Sequence, residues 1–245
     1  MFFLPIRDHN PSGGTPWVTY LLLTANLGIF LLTVPYLGDE GLATAFFLTW
    51  GLVPGDLAAA DVLTSMFLHG GLLHLGGNML FLWLYGDNME DVFGHLGFLA
   101  FYLACGIAAA LLHVATVPGS PVPLVGASGA IAGVMGGYLL LFPRARIDIL
   151  MVILIIVRIV PVPAWAVLAL WFGTQVFSGA SMPSGGGGVA YWAHVGGFLA
   201  GLVLTLPAFL MRGGPRYWTR THGHPPHPEA TYGRTNVPAA GRRRR

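Results

Sequence analysis

Long apolar runs separated by short polar breaks cover most of this chain. Six of these runs match the length of about 20 apolar residues that a helix needs to cross a bilayer. They cover residues 17–37, 62–85, 95–117, 126–142, 159–177 and 190–211. The pattern predicts an all-α polytopic membrane protein. Its six transmembrane helices would form one domain, residues 17–211, after a short N-terminal segment, residues 1–16.

A further apolar stretch, residues 149–157, is rich in β-branched residues but too short to cross a membrane. It is followed by Arg158, Pro161 and Pro163, which interrupt the apolar pattern. We interpret it as an interfacial or re-entrant segment on the inner side. This interpretation keeps the number of spans at six.

The distribution of charge supports that count. Only 9% of the residues are charged, against roughly 25% in typical soluble domains, so most of the surface must face lipid. All twelve basic residues are arginines, and six spans with an inward N-terminus place every one on the cytoplasmic side. This asymmetry obeys the positive-inside rule. It predicts a multi-pass protein of a bacterial-type plasma membrane with both termini cytoplasmic.

The C-terminal tail, residues 212–245, is rich in Pro, His, Gly and Arg, and we predict that it is disordered. Its arginines favour anionic lipid at the inner membrane face. The chain lacks the pattern of basic and aromatic residues that is typical of nucleic-acid binding, so we predict no nucleic-acid partner. The single cysteine, Cys105, excludes an intramolecular disulfide.

Polar side chains inside apolar spans are costly to bury and therefore suggest function. Four stand out in this chain, namely His74, Asn78, Ser128 and His194. The predicted orientation places all four at a similar depth, toward the outer side. Residues that are far apart in sequence would thus share one layer of the membrane.

Small residues suggest how two of these side chains could meet. On the fourth and sixth spans they form two stripes, Ser128-Ala132-Gly136 and His194-Gly197-Gly201, each along one helix face. Such stripes let membrane helices approach backbone to backbone. Packing the two spans along them would bring Ser128 close to His194.

This pairing predicts nucleophilic catalysis. A serine hydroxyl becomes an effective nucleophile when a hydrogen-bonded base takes its proton, and histidine titrates near neutrality. No carboxylate lies in the predicted spans, so Ser128 and His194 would act as a dyad. Asn78 and His74, four residues apart on one helix face, could stabilise the oxyanion together with the Ser128 backbone N–H.

Alternative interpretations start from the same residues. Ser128 alone could bond back to its own helix, and His74 and His194 could be proton relays in a transporter, although such proteins usually also carry intramembrane carboxylates. His69 and His74 suggest zinc. However, their spacing of five is poor for one helix face and no Glu or Cys completes a site, so we predict neither a metal nor a cofactor. His95 and His113 lack evident partners.

The motifs together resemble the rhomboid family of intramembrane serine proteases. The matching elements, in chain order, are His74-x-x-x-Asn78, Glu90 with Gly94, Gly126-Ala127-Ser128-Gly129, and Ala193-His194-Val195-Gly196-Gly197 with Gly201. Each motif is weak alone, but the combination on the right spans is specific. The resemblance implies a six-helix rhomboid-like bundle.

The resemblance also implies roles for individual residues. Ser128 would be the nucleophile, His194 the base, and Asn78, His74 and the Ser128 amide the oxyanion site. Substrates would be single-span or other membrane proteins in the bilayer, cleaved in or near a transmembrane segment.

The resemblance further implies that the outer loop, residues 38–61, is embedded in the membrane. The fifth span, with Trp165 and Trp171, would form an entry gate, and the loop before His194 would form a cap.

One position departs from the family pattern. Ala132 stands where well-studied members carry an aromatic residue stacked on the catalytic histidine, so the group that orients His194 is not identified by the sequence. The alternative within the family is a catalytically silent protein that binds membrane clients. Such a protein is expected to have lost the serine or the histidine.

Overall fold

The computed structural model describes residues 2–153, 156–181 and 188–230. These residues form eight α-helices, two short 3₁₀ helices (Val34–Tyr36 and Ser65–Phe67, which extend α1 and α3) and one small sheet. Helices α1 to α8 are Trp17–Thr33, Glu40–Trp50, Ala59–Thr64, Leu72–Thr116, Ser128–Leu141, Ala164–Ser181, Tyr191–Met211 and Pro215–Thr221. Strands β1 to β3 are Phe2–Asp8, Arg146–Ile153 and Ile156–Pro163.

The described helices include three segments that are long and apolar enough to cross a membrane. They are Trp17–Tyr36, Leu72–Thr116 and Tyr191–Met211. The second is broken at Gly94, whose φ of 70° lies in the left-handed region that glycine adopts without strain. Gly94 thus divides α4 into two parts, and each part is long enough to be a helix of its own. The predicted helical membrane fold is thus confirmed, while the count of six spans stays a prediction.

Two predicted spans begin later than expected. The second begins at Leu72 rather than residue 62, since Gly70 and Gly71 separate α4 from α3 and its 3₁₀ extension. The fifth begins at Ala164 rather than residue 159. Pro161 and Pro163 lack the backbone N–H that a helix interior requires, and both lie in β3.

Of the stretch 149–157, residues 149–153 lie in β2 and residues 156–157 in β3, so it is not the re-entrant segment of our interpretation, while its interfacial position stays a prediction. β2 pairs with β3 on one side and with β1 on the other, antiparallel in both cases. β-branched residues favour strands, and the prolines of the sheet all lie on its edge strands, where a missing N–H is tolerated. The protein is therefore mostly helical with a sheet that the sequence analysis did not predict.

A buried carboxylate joins the N-terminus to this sheet. Asp148 on β2 accepts a hydrogen bond from Arg7 Nε at 2.6 Å and one from His9 Nε2 at 2.8 Å. Burial raises the pKa of the Asp148 carboxyl, but the bonds from His9 and Arg7 outweigh burial and hold it below its usual value. The ion pair thus stabilises the β1–β2 pairing at neutral pH.

A second remote carboxylate caps α1. That helix has no side-chain cap of its own at Pro16. Instead Glu90 of α4 accepts hydrogen bonds from the backbone N–H groups of Val18 and Thr19, both at 2.8 Å. The first N–H groups of a helix have no partner within it, so Glu90 stabilises the start of α1.

The predicted disorder of the tail from residue 212 onward is wrong for residues 212–230. These residues form α8, which contacts the C-terminal ends of α5 and α7, and a following segment. Tyr217 is buried edge-to-face against Phe209, and the Trp218 indole donates to the Leu140 carbonyl at 2.9 Å. Aromatic burial compensates the entropy cost of ordering this segment. Residues 231–245 lie outside the described residues.

Helix α5 lies at the centre of the bundle, since eleven of its fourteen residues are buried. Its backbone touches that of α7, because a Cβ built on Gly197 would overlap the Gly129 carbonyl, and one on Gly201 would overlap the Gly133 carbonyl. Gly136 likewise meets the backbone of Phe198. The two helices are therefore in backbone contact, and on α5 the contact includes Gly129 and Gly133 rather than Ala132.

Candidate active site

Ser128 is the first residue of α5 and follows a strained loop. Gly126 has φ of 128°, and its N–H donates to the Ser65 carbonyl at 2.8 Å. A Cβ at Gly126 would lie 2.8 Å from His74 Nε2 and 3.5 Å from Ser128 Oγ. Both the backbone conformation and the neighbouring His74 therefore require glycine at this position, beside the serine.

The Ser128 hydroxyl and the His194 imidazole are in direct contact. His194 Nε2 lies 2.8 Å from Ser128 Oγ, a hydrogen-bond distance, although the residues are 66 positions apart. His194 lies in the first turn of α7 and Ser128 in the first turn of α5. The glycine contacts between the two helices hold both turns at the same level.

The second ring nitrogen of His194 also has a partner. Nδ1 lies 2.7 Å from Oε1 of Gln175, a side chain on α6 that is only 8% exposed. Gln175 Nε2 in turn donates to Thr174 Oγ1 at 3.2 Å and to the Trp171 carbonyl at 3.4 Å. Ser128, His194 and Gln175 thus form a continuous line of hydrogen bonds across three helices.

An aromatic ring from α6 also contacts the imidazole. The Trp171 and His194 ring centroids are 5.7 Å apart, with an interplanar angle of 36°. Ala132 is fully buried in α5. Two side chains of α6, Gln175 and Trp171, therefore contact the His194 ring and can orient it.

Of the two side chains predicted to stabilise the oxyanion, His74 contacts the loop before Ser128, whereas Asn78 bonds to its own helix. His74 lies beside Gly126 and Ser128, and its ring meets that of His69 edge-on at 5.0 Å. Asn78 is buried, but its amide donates to the His74 carbonyl of its own helix at 3.0 Å. The structure thus brings together Ser128, His194 and His74, while Asn78 would have to turn from this bond to reach an oxyanion.

Metal ligands are sparse at this site. Within residues 2–153, 156–181 and 188–230, no group of three or more His, Cys, Asp or Glu side chains could hold a metal ion. The contact between His69 and His74 provides at most two ligands. A closed structural zinc site usually needs four ligands and a catalytic site three.

Sequence reasoning missed Gln175, although a signal for it was present. It is the only glutamine in the chain and lies inside the predicted fifth span. The rule that intramembrane polar residues suggest function applies to amides as well as to reactive groups. The rule that singles out Asn78 in α4 therefore also applies to Gln175 in α6.

Residues 58–210 match the Rhomboid domain family, which is more than half of the chain. The chain belongs to the rhomboid family. The resemblance predicted from the motifs is thereby confirmed. This rhomboid is an integral membrane protein of a polytopic helical fold.

Several relatives carry the same family name. The chain is 32% identical over 150 residues to Rhomboid protein 1, mitochondrial, of Saccharomyces cerevisiae, covering 58% of this chain and 40% of that protein. It is 35% identical over 132 residues to Rhomboid protease GluP of Bacillus subtilis, covering 52% of this chain and 25% of that protein. It is 29% identical over 202 residues to Rhomboid-like protein 11, chloroplastic, of Arabidopsis thaliana, covering 81% of this chain and 66% of that protein. The chain therefore spans less than half the length of the first two relatives.

Proposed function

We propose that this rhomboid is an intramembrane serine endopeptidase that cleaves transmembrane segments of membrane proteins through a Ser128–His194 dyad. The main support is the 2.8 Å contact between Ser128 Oγ and His194 Nε2. A hydroxyl paired with an unprotonated imidazole nitrogen is the arrangement that general-base activation requires. The similarity to a relative named as a protease adds support.

The reaction would proceed in two stages. Ser128 Oγ bonds to the carbonyl carbon of the scissile peptide while His194 Nε2 takes the hydroxyl proton. The imidazolium then gives this proton to the leaving nitrogen as the C–N bond breaks, which leaves an acyl ester on Ser128. A water that is deprotonated by the same imidazole hydrolyses the ester and restores the free hydroxyl.

The negative oxygen of each tetrahedral intermediate needs donors. The Ser128 N–H has no hydrogen-bond partner among the residues that the structure describes, because the first N–H groups of a helix have no partner within it. The His74 imidazole borders the same space beside Gly126. We propose Asn78 as a third donor after its amide turns from the His74 carbonyl.

The proposed substrates are single-span or other membrane proteins that reach the dyad from the bilayer. In the proposed orientation both termini are cytoplasmic in a bacterial-type plasma membrane, and the dyad lies toward the outer side. The proposed entry gate is α6, whose Trp165 side chain is exposed. Most of the proposed cap, residues 182–187, lies outside the described residues.

The test is cleavage of a model single-span substrate by purified protein in liposomes. Wild type should cleave it, Ser128→Ala and His194→Ala should not, and a chelator should leave the rate unchanged. A fluorophosphonate should label wild type but not Ser128→Ala. Equal labelling of both proteins, or substrate binding by wild type without cleavage, would refute the proposal, and the second outcome would favour a client-binding protein.

A further inference from the structure

Gln175 is a buried amide on a helix with only three buried side chains. The buried side chains of α6 are Ala164, Leu168 and Gln175, whereas Leu170 is 72% exposed and faces outward. Burying an amide is costly unless its donor and acceptor atoms are both satisfied. Every polar atom of Gln175 has a partner, and the partner of its oxygen is His194.

The hydrogen bonds of Gln175 fix which end of its amide faces the imidazole. Thr174 Oγ1 and the Trp171 carbonyl are both placed to accept from Nε2, and a carbonyl oxygen cannot donate. The NH₂ group therefore faces its own helix, and Oε1 faces His194 Nδ1. An amide oxygen only accepts, so Nδ1 must carry the hydrogen.

This assignment decides the state of the other ring nitrogen. A neutral imidazole carries one hydrogen, so a protonated Nδ1 leaves Nε2 bare. A bare Nε2 is the acceptor that the Ser128 hydroxyl needs. The opposite tautomer would donate from Nε2 to Ser128 and could not take its proton.

We propose that Gln175, supported by the Trp171 ring, is the positioning residue that holds His194 in its productive tautomer and orientation. This inference rests on the proposed protease function and deepens it. The usual position for such support on α5 is Ala132, which has only a methyl group. His194 is therefore held from the peripheral helix α6 rather than from the central helix α5.

The neutrality of Gln175 makes the proposal testable by its acidic analogue. Gln175→Glu keeps an oxygen facing Nδ1 and adds a charge that favours imidazolium. Among the described residues, the other titratable side chains that interact electrostatically with His194 are His74 and His113, both on α4. Because both remain unchanged, a shift of the pH profile in this variant reports the group at position 175.

The experiment compares Gln175→Leu and Gln175→Glu with wild type in liposomes. Leu170→Ala, a change at an exposed site on the same helix, is the matched control. Gln175→Leu should lower kcat on the order of 10²-fold, with little change in KM. This loss is smaller than the roughly 10⁴-fold loss in kcat that follows when the charged member of a catalytic triad is neutralised. Gln175→Glu should restore activity, and the acid limb of its kcat/KM profile should move to higher pH.

A spectroscopic readout separates positioning from a structural role. Nitrogen-15 spectra of labelled histidine, with the His194 signal assigned by its loss in His194→Asn, should show Nδ1–H in wild type. The Nδ1–H state should be lost in Gln175→Leu. Thermal melts that match the control would show that this variant is folded. If it is not, Gln175→Glu decides, because its carboxylate can only accept from Nδ1: the neutral His194 of this variant should keep the Nδ1–H signal, and loss of that signal would overturn the inference.

With a folded Gln175→Leu variant, two results would overturn the inference. One is a Gln175→Leu variant as active as Leu170→Ala. The other is a Gln175→Leu variant whose His194 keeps the wild-type Nδ1–H signal. Failure of the proposed function would differ, since wild type itself would then neither cleave substrate nor label at Ser128. The histidine spectra would still test the hydrogen bond in that case.

Discussion

The contact between α5 and α7 leaves no space for a methyl group at Gly201. A Cβ there would meet the oxygen, the carbonyl carbon and the Cα of Gly133, all of which are backbone atoms that cannot rotate away. Substituting Gly201 with alanine must therefore separate the two helices.

The required separation can be worked from the structure. The added Cβ would approach the Gly133 oxygen about 1 Å closer than the 3.0 Å that real Cβ atoms respect. Gly201 lies two turns from His194, about 10 Å along the axis at a rise of about 1.5 Å per residue. A rigid-body shift of α7 by about 1 Å would lengthen the 2.8 Å Nε2–Oγ contact toward about 3.8 Å, beyond hydrogen-bond range.

The expected result is a loss of both activity and stability. Loss of general-base assistance lowers the rate by roughly 10²–10⁴-fold. Overpacking of a close helix contact costs about 1–3 kcal/mol. Cleavage in liposomes measures the first effect. A thiol-reactive dye measures the second, because the only thiol, Cys105, is fully buried and reacts only on unfolding.

Gly28→Ala is the matched control. Gly28 is also a helix glycine, but a Cβ there has nothing within 4 Å, so this variant should keep wild-type activity and melting temperature. If Gly201→Ala were as active and as stable as Gly28→Ala, the close contact between α5 and α7 would not exist as described. The reasoning that links glycine packing to the dyad would then be wrong.

The Asn78, Glu90 and Asp148 side chains can each be tested by one substitution. Asn78→Ala should slow substrate cleavage by one to three orders of magnitude if its amide reaches the oxyanion, and an unchanged kcat would remove Asn78 from the site. Glu90→Ala leaves two backbone N–H groups of α1 without their acceptor. It should lower the free energy of unfolding by about 1–3 kcal/mol in thiol-dye melts, whereas a wild-type melting temperature would refute the capping role. The folded-state pKa of Asp148 is depressed, so its stabilisation is present above its unfolded pKa of about 4 and is lost as the pH falls. The protection factor of the β1 amides, which is the intrinsic exchange rate divided by the observed rate, should therefore fall on acidification in wild type. In Asp148→Asn this protection factor should already be low at pH 7, and a wild-type value there would contradict the role of the ion pair with Arg7.

The sequence by itself determined the features that depend on local pattern. Apolar runs of membrane length predict helices wherever they occur, because a bilayer leaves the backbone few other ways to satisfy its hydrogen bonds. Polar side chains inside such runs singled out Ser128 and His194, and small residues predicted that their helices touch. The family motifs are local strings of the same kind.

Tertiary structure decided the features that depend on pairing between distant segments. β1 pairs with a strand about 140 residues away, and no property of residues 149–157 alone separates a hairpin strand from a re-entrant segment. On α5 the close contact includes Gly133 rather than Ala132, because the rotation of a helix about its axis is set by its neighbours. Gln175 meets His194 for the same reason. The two residues lie on different helices, so their hydrogen bond depends on how α6 packs against α7, which no local pattern of the sequence contains.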